Sequence, residues 1–452
     1  MRTLLINLPW NKQHLKGVRA GSRWPFTQIP EKDGHIRYIP FPFFLSYATA
    51  LLKKQGQQAK LIDAIAEEIN EDELLGKIIP YKPTIIFAET STPSFGNDVM
   101  LMERLDHVFP DCQLALSGSH ASVFAKEILE KYRFIDYVLI GEYENIVLEL
   151  VQKLQDHAAL SSIQGLAYRQ DNEIQINYFR ETISDLDSLP WPEREDLPLY
   201  KYNDGFAGMP VPNVQMWTSR GCSFQCSYCL WPQTIYREHR YRMRTPRDVV
   251  DEMQYLIQRY QFKAVYFDDD VININREHVF ALCEEIIKRK INIPLAAMAR
   301  ADLMDEALLQ IMVNAGFYAI KYGVESADDG ILKLCKKDMD LPKVKKVIQL
   351  TKAMGVKVHL TFCLGLPGET EESVNRTLQF IAEVKPDSFQ VSLATPFPGT
   401  AYFAYAKQHG LLVSDDWADY DANHTCVVKT ETLSKLDLER LRDVFSSGVN
   451  VQ

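Results

Sequence analysis

Short apolar runs and helix-spaced segments alternate along this chain in two long series. In the first, Thr3–Leu8, Ala59–Ile62, Thr84–Ala88, Gln113–Ser117 and Tyr137–Ile140 read as strands. Between and after them, Phe44–Gln55, Glu71–Ile79, Val99–Val108, Ala121–Tyr132 and Glu144–Gln155 carry apolar residues at helical spacing. Such alternation predicts parallel βαβ units, and the right-handed crossover makes them an open, doubly wound α/β sheet. The pattern restarts at Asn213–Thr218 and continues through Ala264–Phe267, Leu295–Met298, Ala319–Tyr322, Lys357–Thr361 and Ser388–Leu393. Helical segments follow these strands, which predicts six βα units closing into a partial (β/α)6 barrel.

The two series divide the chain into residues 1–160, a connector over 161–211, a core over 212–400 and a C-terminal region over 401–452. Within the connector, Ala167–Tyr178 reads as a hairpin. Leu186–Pro198 holds three prolines and no periodicity, so it reads as an extended crossing segment. The tail has helical runs at Ala401–His409 and Lys435–Phe445.

Composition narrows the class. With 452 residues, 46% hydrophobic and 24% charged, the chain is long enough for two or three ordinary globular domains. A net charge of −10 argues against a nucleic-acid binder, which carries a basic face. No apolar stretch approaches the ~20 residues of a transmembrane helix. The N-terminus reads as a first strand rather than a signal peptide. Eight cysteines, three of them clustered, fit a reducing cytoplasm better than a disulfide framework.

The clustered three carry the chemistry. Cys222, Cys226 and Cys229 stand as C-x3-C-x2-C. Four-iron clusters usually take four thiolates. Three ligands therefore leave one iron open to a small molecule, as an open coordination position distinguishes catalytic from structural zinc. The alternatives are a zinc knuckle lacking its fourth ligand and three ordinary buried cysteines. Cys112, Cys283, Cys335, Cys363 and Cys426 are scattered and read as small buried apolar residues.

Further candidates fall at the carboxyl ends of strands, where such folds bind ligands. In the first series these are Thr90 and Ser91, then Ser117, Gly118 and His120, then Gly141 and Glu142. Small residues there let backbone N–H groups approach a ligand, and they serve equally as turns before helix caps. In the second series they are Asp268–Asp270, Arg300, Gly323–Ser326 and Cys363–Glu369. A helix cap, an ion pair of Glu325 with Arg300 and a plain turn are the alternatives there. Arg237, Arg240, Arg242 and Arg244 form a basic run that meets an anion or is solvated surface.

The cysteine run with Tyr228 before its last cysteine resembles the signature of radical S-adenosylmethionine (SAM) enzymes, and residues 213 to about 400 resemble their partial barrel. The resemblance implies a 4Fe–4S cluster on the three cysteines. It implies SAM on the open iron, cleaved to a 5′-deoxyadenosyl radical. Tyr228, Asp268, Asp269, Arg300, Glu325, Ser326, Leu364 and Gly365 are the SAM contacts it implies. The first series, through Leu61–Asp63, Ser117–His120 and Asp136–Glu142, is similar to the flavodoxin-like cobalamin-binding domain of many such proteins. That makes Thr90, Ser91, Ser117, Gly118, His120, Gly141 and Glu142 the expected cobalamin contacts. The Asp-x-His-x-x-Gly motif that ligates cobalt from below is missing; His14, His35 and His120 lie outside it. The segment Cys229–Thr234 with Arg240–Arg244 resembles hopanoid-associated radical SAM proteins. The implied activity is methylation of an unactivated carbon, and the runner-up is radical cyclisation, ring contraction or rearrangement. A non-catalytic iron–sulfur or zinc module is the third reading. The expected partners are a small-molecule or lipid-linked substrate and an electron donor such as flavodoxin or ferredoxin.

Overall fold

The computed structural model describes residues 1–12, 15–30 and 38–448. His14 and His35 lie outside the described residues. In chain order the strands are β1 Arg2–Asn7, β2 Asn11–Lys12, β3 Leu15–Val18, β4 Phe26–Gln28, β5 Gln58–Asp63, β6 Ile85–Glu89, β7 Gln113–Ser117, β8 Tyr137–Leu139, β9 Leu166–Gln170 and β10 Glu173–Ile176. They continue as β11 Asn213–Met216, β12 Ser219–Arg220, β13 Arg242–Met243, β14 Ala264–Phe267, β15 Leu295–Ala299, β16 Phe317–Glu325, β17 Lys357–Leu364 and β18 Ser388–Leu393.

The first sheet runs β10-β9-β8-β7-β6-β1-β5. Its five parallel strands, taken in chain order, stand 2-1-3-4-5, the flavodoxin-like arrangement whose switch point lies between β1 and β6. The hairpin expected in the connector forms, and it adds β9 and β10 antiparallel to the sheet edge beside β8. The second sheet is β11-β14-β15-β16-β17-β18, all parallel, as the six apolar runs predict.

Local signals place the flanking helices. Asn70 and Glu73 form a capping box on the helix Glu71–Tyr81. Thr245 caps the helix Pro246–Tyr260, with proline at its first position. The helix Phe43–Lys54 is unusual: Phe43 to Leu52 are all buried, ten successive residues. A helix apolar all round needs cover on every side. Here one side packs on the first sheet, and the rings of Phe43 and Trp217 from the barrel stack at 4.0 Å.

One element had no forerunner in the apolar pattern: the antiparallel sheet β2-β3-β4 inserted after β1. Its strands have two to four residues, too few for a period to register. Among the described residues no helix is long and apolar enough to cross a membrane.

Candidate functional site

The cysteine loop leaves β12 and ends at the short helix Leu230–Thr234, at the carboxyl end of the first barrel strand. Gly221 opens the loop at φ +85°, and a Cβ there would lie 2.1 Å from the Arg240 carbonyl oxygen, so only glycine fits. Gln233 then fixes the loop from within. Its Nε2 donates to the carbonyls of Cys229 at 2.7 Å, Ser227 at 3.1 Å and Cys226 at 3.4 Å. Its Oε1 accepts from the Ala401 N–H at 2.7 Å. Arg300 grips the other half: its guanidinium lies 3.7 Å from the centre of the Phe224 ring, between the first two cysteines.

Burial pushes the Cys222 thiol up to about 12, and burial with the neighbouring Cys226 and Cys222 also raises the Cys229 thiol well above its ordinary value. Such thiols keep their protons until a metal displaces them. Among the described residues no three His, Cys, Asp or Glu side chains gather as ligands of a single ion. A cluster takes one thiolate per iron corner, and three cysteines on one short loop supply three of them, so the donor set fits a cluster with one corner left open. Cys335 is a rival ligand from outside the loop. Its carbonyl accepts the Ser227 N–H at 2.9 Å, and its side chain is fully buried in the apolar core.

The acidic stretch after β14 has divided duties. Asp269 Oδ1 accepts from the Thr218 N–H at 2.8 Å, from both hydroxyls of Thr218 and Ser219 at 3.0 and 2.7 Å, and from the Ser219 N–H. It braces the turn into the cysteine loop. Asp268 Oδ2 is buried without a partner, and burial lifts its carboxyl to about 6 against the pull of Arg23 and Lys321. Asp270 accepts the Gly221 N–H at 2.8 Å and the Tyr236 hydroxyl at 3.0 Å.

Glu325 stands at a bulge ending β16, at φ +70°. Its carboxylate takes Lys337 Nζ at 3.5 Å, Thr361 Oγ1 at 3.1 Å and Cys363 Sγ at 3.3 Å. The alternative of a Glu325–Arg300 ion pair does not form, because Arg300 is bound to Asp302 at 2.8 Å and to the Lys337 carbonyl at 3.0 Å. The Tyr228 hydroxyl and Ser326 Oγ are buried with no partner. Leu364 ends β17, and Gly365 turns at φ +93°, its N–H held by Glu369 and its carbonyl by the Tyr402 hydroxyl. A Cβ on Gly365 would meet Leu438 at 3.3 Å and Val428 at 3.4 Å, so the C-terminal region covers this turn.

The loops of the first sheet are committed to the protein's own contacts. Thr90 Oγ1 and Ser94 Oγ both donate to Asp98 Oδ2 at 2.7 Å, and Ser91 Oγ lies 2.9 Å from Ser94 Oγ. Arg19, inserted from β3, pairs with Asp98 and binds Asn7 Oδ1 at 3.1 Å. Ser117 Oγ turns back to the Ala88 carbonyl at 3.4 Å. Gly118 is needed by the protein itself: a Cβ would lie 2.3 Å from the Thr90 carbonyl oxygen. His120 packs among Phe95, Phe124 and Trp417, and burial lowers its ring to about 3. Gly141 abuts the Phe179 ring and the Ile235 carbonyl.

Glu142 faces the barrel instead. It binds Arg242 through both oxygens at 2.8 and 2.7 Å and the Ile183 N–H at 3.0 Å. Glu144 binds Arg220 at 2.6 Å. The basic run is therefore split. Arg237 and Arg240 are exposed, while Arg242 and Arg244 are buried in ion pairs, Arg244 with Glu252 at 2.6 Å. A period-two backbone at β13 sends alternate residues inward. These contacts, and the helix Ser119–Val123 packed on Leu230–Thr234, set the carboxyl edge of the first sheet against the barrel mouth.

Gln233, Arg23, Lys337 and Tyr402 escaped the reading of the sequence. Gln233 alone left a signal, standing one turn beyond the last cysteine.

The model of the radical SAM superfamily matches residues 217–381. An uncharacterized methyltransferase of Pyrococcus horikoshii is 26% identical over 380 residues, which is 84% of this chain and 81% of the relative. An anaerobic magnesium-protoporphyrin IX monomethyl ester cyclase of Rubrivivax gelatinosus is 27% identical over 418 residues, 89% of this chain and 69% of the relative. The solved radical S-adenosylmethionine methyltransferase TsrM from Kitasatospora setae, with cobalamin and a 4Fe–4S cluster bound, superposes with a TM-score of 0.71 at 16% identity, covering 100% of this chain and 92% of that one. At that identity the likeness shows the fold. Residues 217–381 thus match a radical SAM domain, which sets aside the non-catalytic module and makes this chain an enzyme.

Proposed function

We propose that this chain holds a 4Fe–4S cluster on Cys222, Cys226 and Cys229, binds SAM beside it and binds cobalamin at the carboxyl edge of its first sheet. The reaction is methylation of an unactivated carbon on a small-molecule or lipid-linked substrate. When bound, the cluster supplies the electron that splits the sulfonium of SAM, and cobalamin supplies a methyl carrier. The observation that carries the reading is the three-cysteine loop at a barrel strand end, fixed by Gln233 with no fourth cysteine inside it.

The chain's own residues bind, orient and keep water out. A carboxylate has about four acceptor sites. Glu325 spends three on Lys337, Thr361 and Cys363, which leaves one for a ribose hydroxyl of SAM. The unpartnered Tyr228 hydroxyl and Ser326 Oγ are available to the polar groups of the same ligand. Asp268, Arg300, Leu364 and Gly365 line the strand ends around it, and Asp269 acts on the loop rather than on SAM. The rings of Trp24, Tyr228 and Phe397, in edge contact at 5.5 and 6.4 Å, wall the site against solvent.

For cobalamin, the side chains of Thr90, Ser91, Ser117 and Glu142 already have protein partners, so backbone and surface shape do the holding. His120 sits in its aromatic cage bonded to Thr92, which supports a cobalamin without a histidine from below. A cytoplasmic flavodoxin or ferredoxin is the proposed reductant.

A second reading, radical cyclisation or rearrangement without methyl transfer, is favoured by the likeness to the Rubrivivax cyclase. Anaerobic reconstitution separates the two. A brown protein that gives 5′-deoxyadenosine with dithionite and SAM, shows a cobalamin spectrum and forms S-adenosylhomocysteine supports methyl transfer. 5′-Deoxyadenosine without cobalamin or S-adenosylhomocysteine supports the second reading. A colourless protein that leaves SAM intact defeats both.

A further inference from the structure

Arg23 lies outside every motif of the sequence, in the turn between β3 and β4. Its Nε donates to Asp270 Oδ1 at 2.6 Å, its Nη1 to Asp268 Oδ1 at 3.1 Å and its Nη2 to the Asp268 carbonyl at 2.5 Å. Its guanidinium lies 4.8 Å from the centre of the Trp231 ring. The second oxygen of Asp270 accepts the Gly221 N–H at 2.8 Å. Gly221 directly precedes Cys222, and Trp231 stands two residues after Cys229. One guanidinium thus reaches both ends of the cysteine loop: the first through Asp270, the second through the Trp231 face.

We propose that Arg23 is a positioning residue for the cluster, clamping the cysteine loop at both ends and offsetting the negative charge of Asp270 beside it. The proposal rests on the three cysteines being the cluster ligands. Adding an electron to a cluster costs more next to an uncompensated carboxylate, and nearby charge is one of the levers on cluster potential. The Arg23 side chain is 17% exposed, so water screens it only in part. A lysine can bring the charge but not the planar fork that spans two carboxylates and stacks on a ring. The insertion β2-β3-β4 thereby links the first sheet, through Arg19, to the cysteine loop, through Arg23.

The test uses full-length Arg23→Met, Arg23→Lys and Asp270→Asn proteins. Amide exchange over residues 219–229 is followed in the cluster-free protein, and the cluster midpoint potential is followed by EPR-monitored titration after reconstitution. In Arg23→Met the loop amides exchange about tenfold faster, the effect of losing charge-assisted hydrogen bonds of about 1.4 kcal/mol. Its potential moves negative. Arg23→Lys keeps the wild-type potential and exchanges as fast as Arg23→Met. Asp270→Asn moves the potential positive. Wild-type exchange together with wild-type potential in Arg23→Met and Arg23→Lys overturns the proposal. If Arg23→Met does not fold, the opposed behaviour of Arg23→Lys and Asp270→Asn decides it in the same way. A wild-type protein that takes up no cluster defeats the cluster reading instead, and the exchange measurement still decides the clamp.

Discussion

Replacing Glu142 with alanine removes one of the carboxylates that join the two halves of the molecule. Its side chain is 3% exposed and that of Arg242 2%. Among the described residues Glu142 is the one carboxylate bonded to Arg242, which also donates to the Ile183 carbonyl at 2.8 Å and lies 5.2 Å from the centre of the Tyr236 ring. Arg220 keeps Glu144 at 2.6 Å. The variant therefore strands one buried guanidinium. Breaking a buried pair from one side costs about 3–5 kcal/mol, because the surviving charge stays desolvated. For a folding unit of 150–250 residues each kcal/mol moves the melting temperature by about 2–4 °C, so a fall of about 10 °C is expected. Burial raises the Glu142 carboxyl, but Arg242 and Arg220 bring it below its ordinary value of 4.5. A depressed carboxylate contributes stability that is complete above that ordinary value and is lost as pH falls through the folded one. Calorimetry of the metal-free protein at pH 7.5 and one scan rate reads the full effect. The control is Glu71→Gln, whose partner Arg104 and own side chain are 41% and 49% exposed; it should cost under about 1 kcal/mol. Adding Arg242→Met to Glu142→Ala removes the stranded charge and should recover part of the loss. A melting temperature for Glu142→Ala within 1–2 °C of wild type, or a double variant no better than the single, refutes the argument.

Cys222→Ala should abolish the 4Fe–4S absorbance, whereas Cys335→Ala should retain full iron and sulfide, because Cys335 is buried outside the cysteine loop; equal loss in both would make Cys335 a fourth ligand. Gln233→Leu removes two N–H donors shared among three loop carbonyls, worth about 1 kcal/mol each, and should speed cluster loss to a chelator several-fold with the fold intact by circular dichroism. Burial raises the Glu369 carboxyl to about 8, so the folded chain keeps a proton that the unfolded chain releases above about 4.5. Stability from this group falls as pH rises from about 4.5 to 8. Glu369→Gln should flatten that fall when melting temperatures are compared from pH 5 to 8, and an unchanged slope would show that Glu369 is ionised throughout.

The sequence by itself determined the two α/β sheets, because helix and strand periods are set by which residues need burial within each segment. It also brought the proposed cluster ligands together: Cys222, Cys226 and Cys229 lie within eight residues, so the chain cannot separate them. The tertiary structure alone decided the rest of the site. Arg23 and Gln233 approach the cysteine loop through contacts that no period encodes. Asp268, Asp269 and Asp270 are adjacent in sequence, yet Asp268 binds Arg23, Asp269 braces Thr218 and Ser219, and Asp270 joins Arg23 to Gly221. Thr90, Gly118 and Glu142 look alike as strand-end residues, but an intramolecular partner 28 to 100 positions away uses Gly118 and Glu142, and Asp98 uses Thr90. Local spacing names the residues that can bind a ligand. Only the packed chain shows which of their hydrogen-bonding groups remain unspent, since a buried polar group is satisfied by whichever partner the fold brings to it.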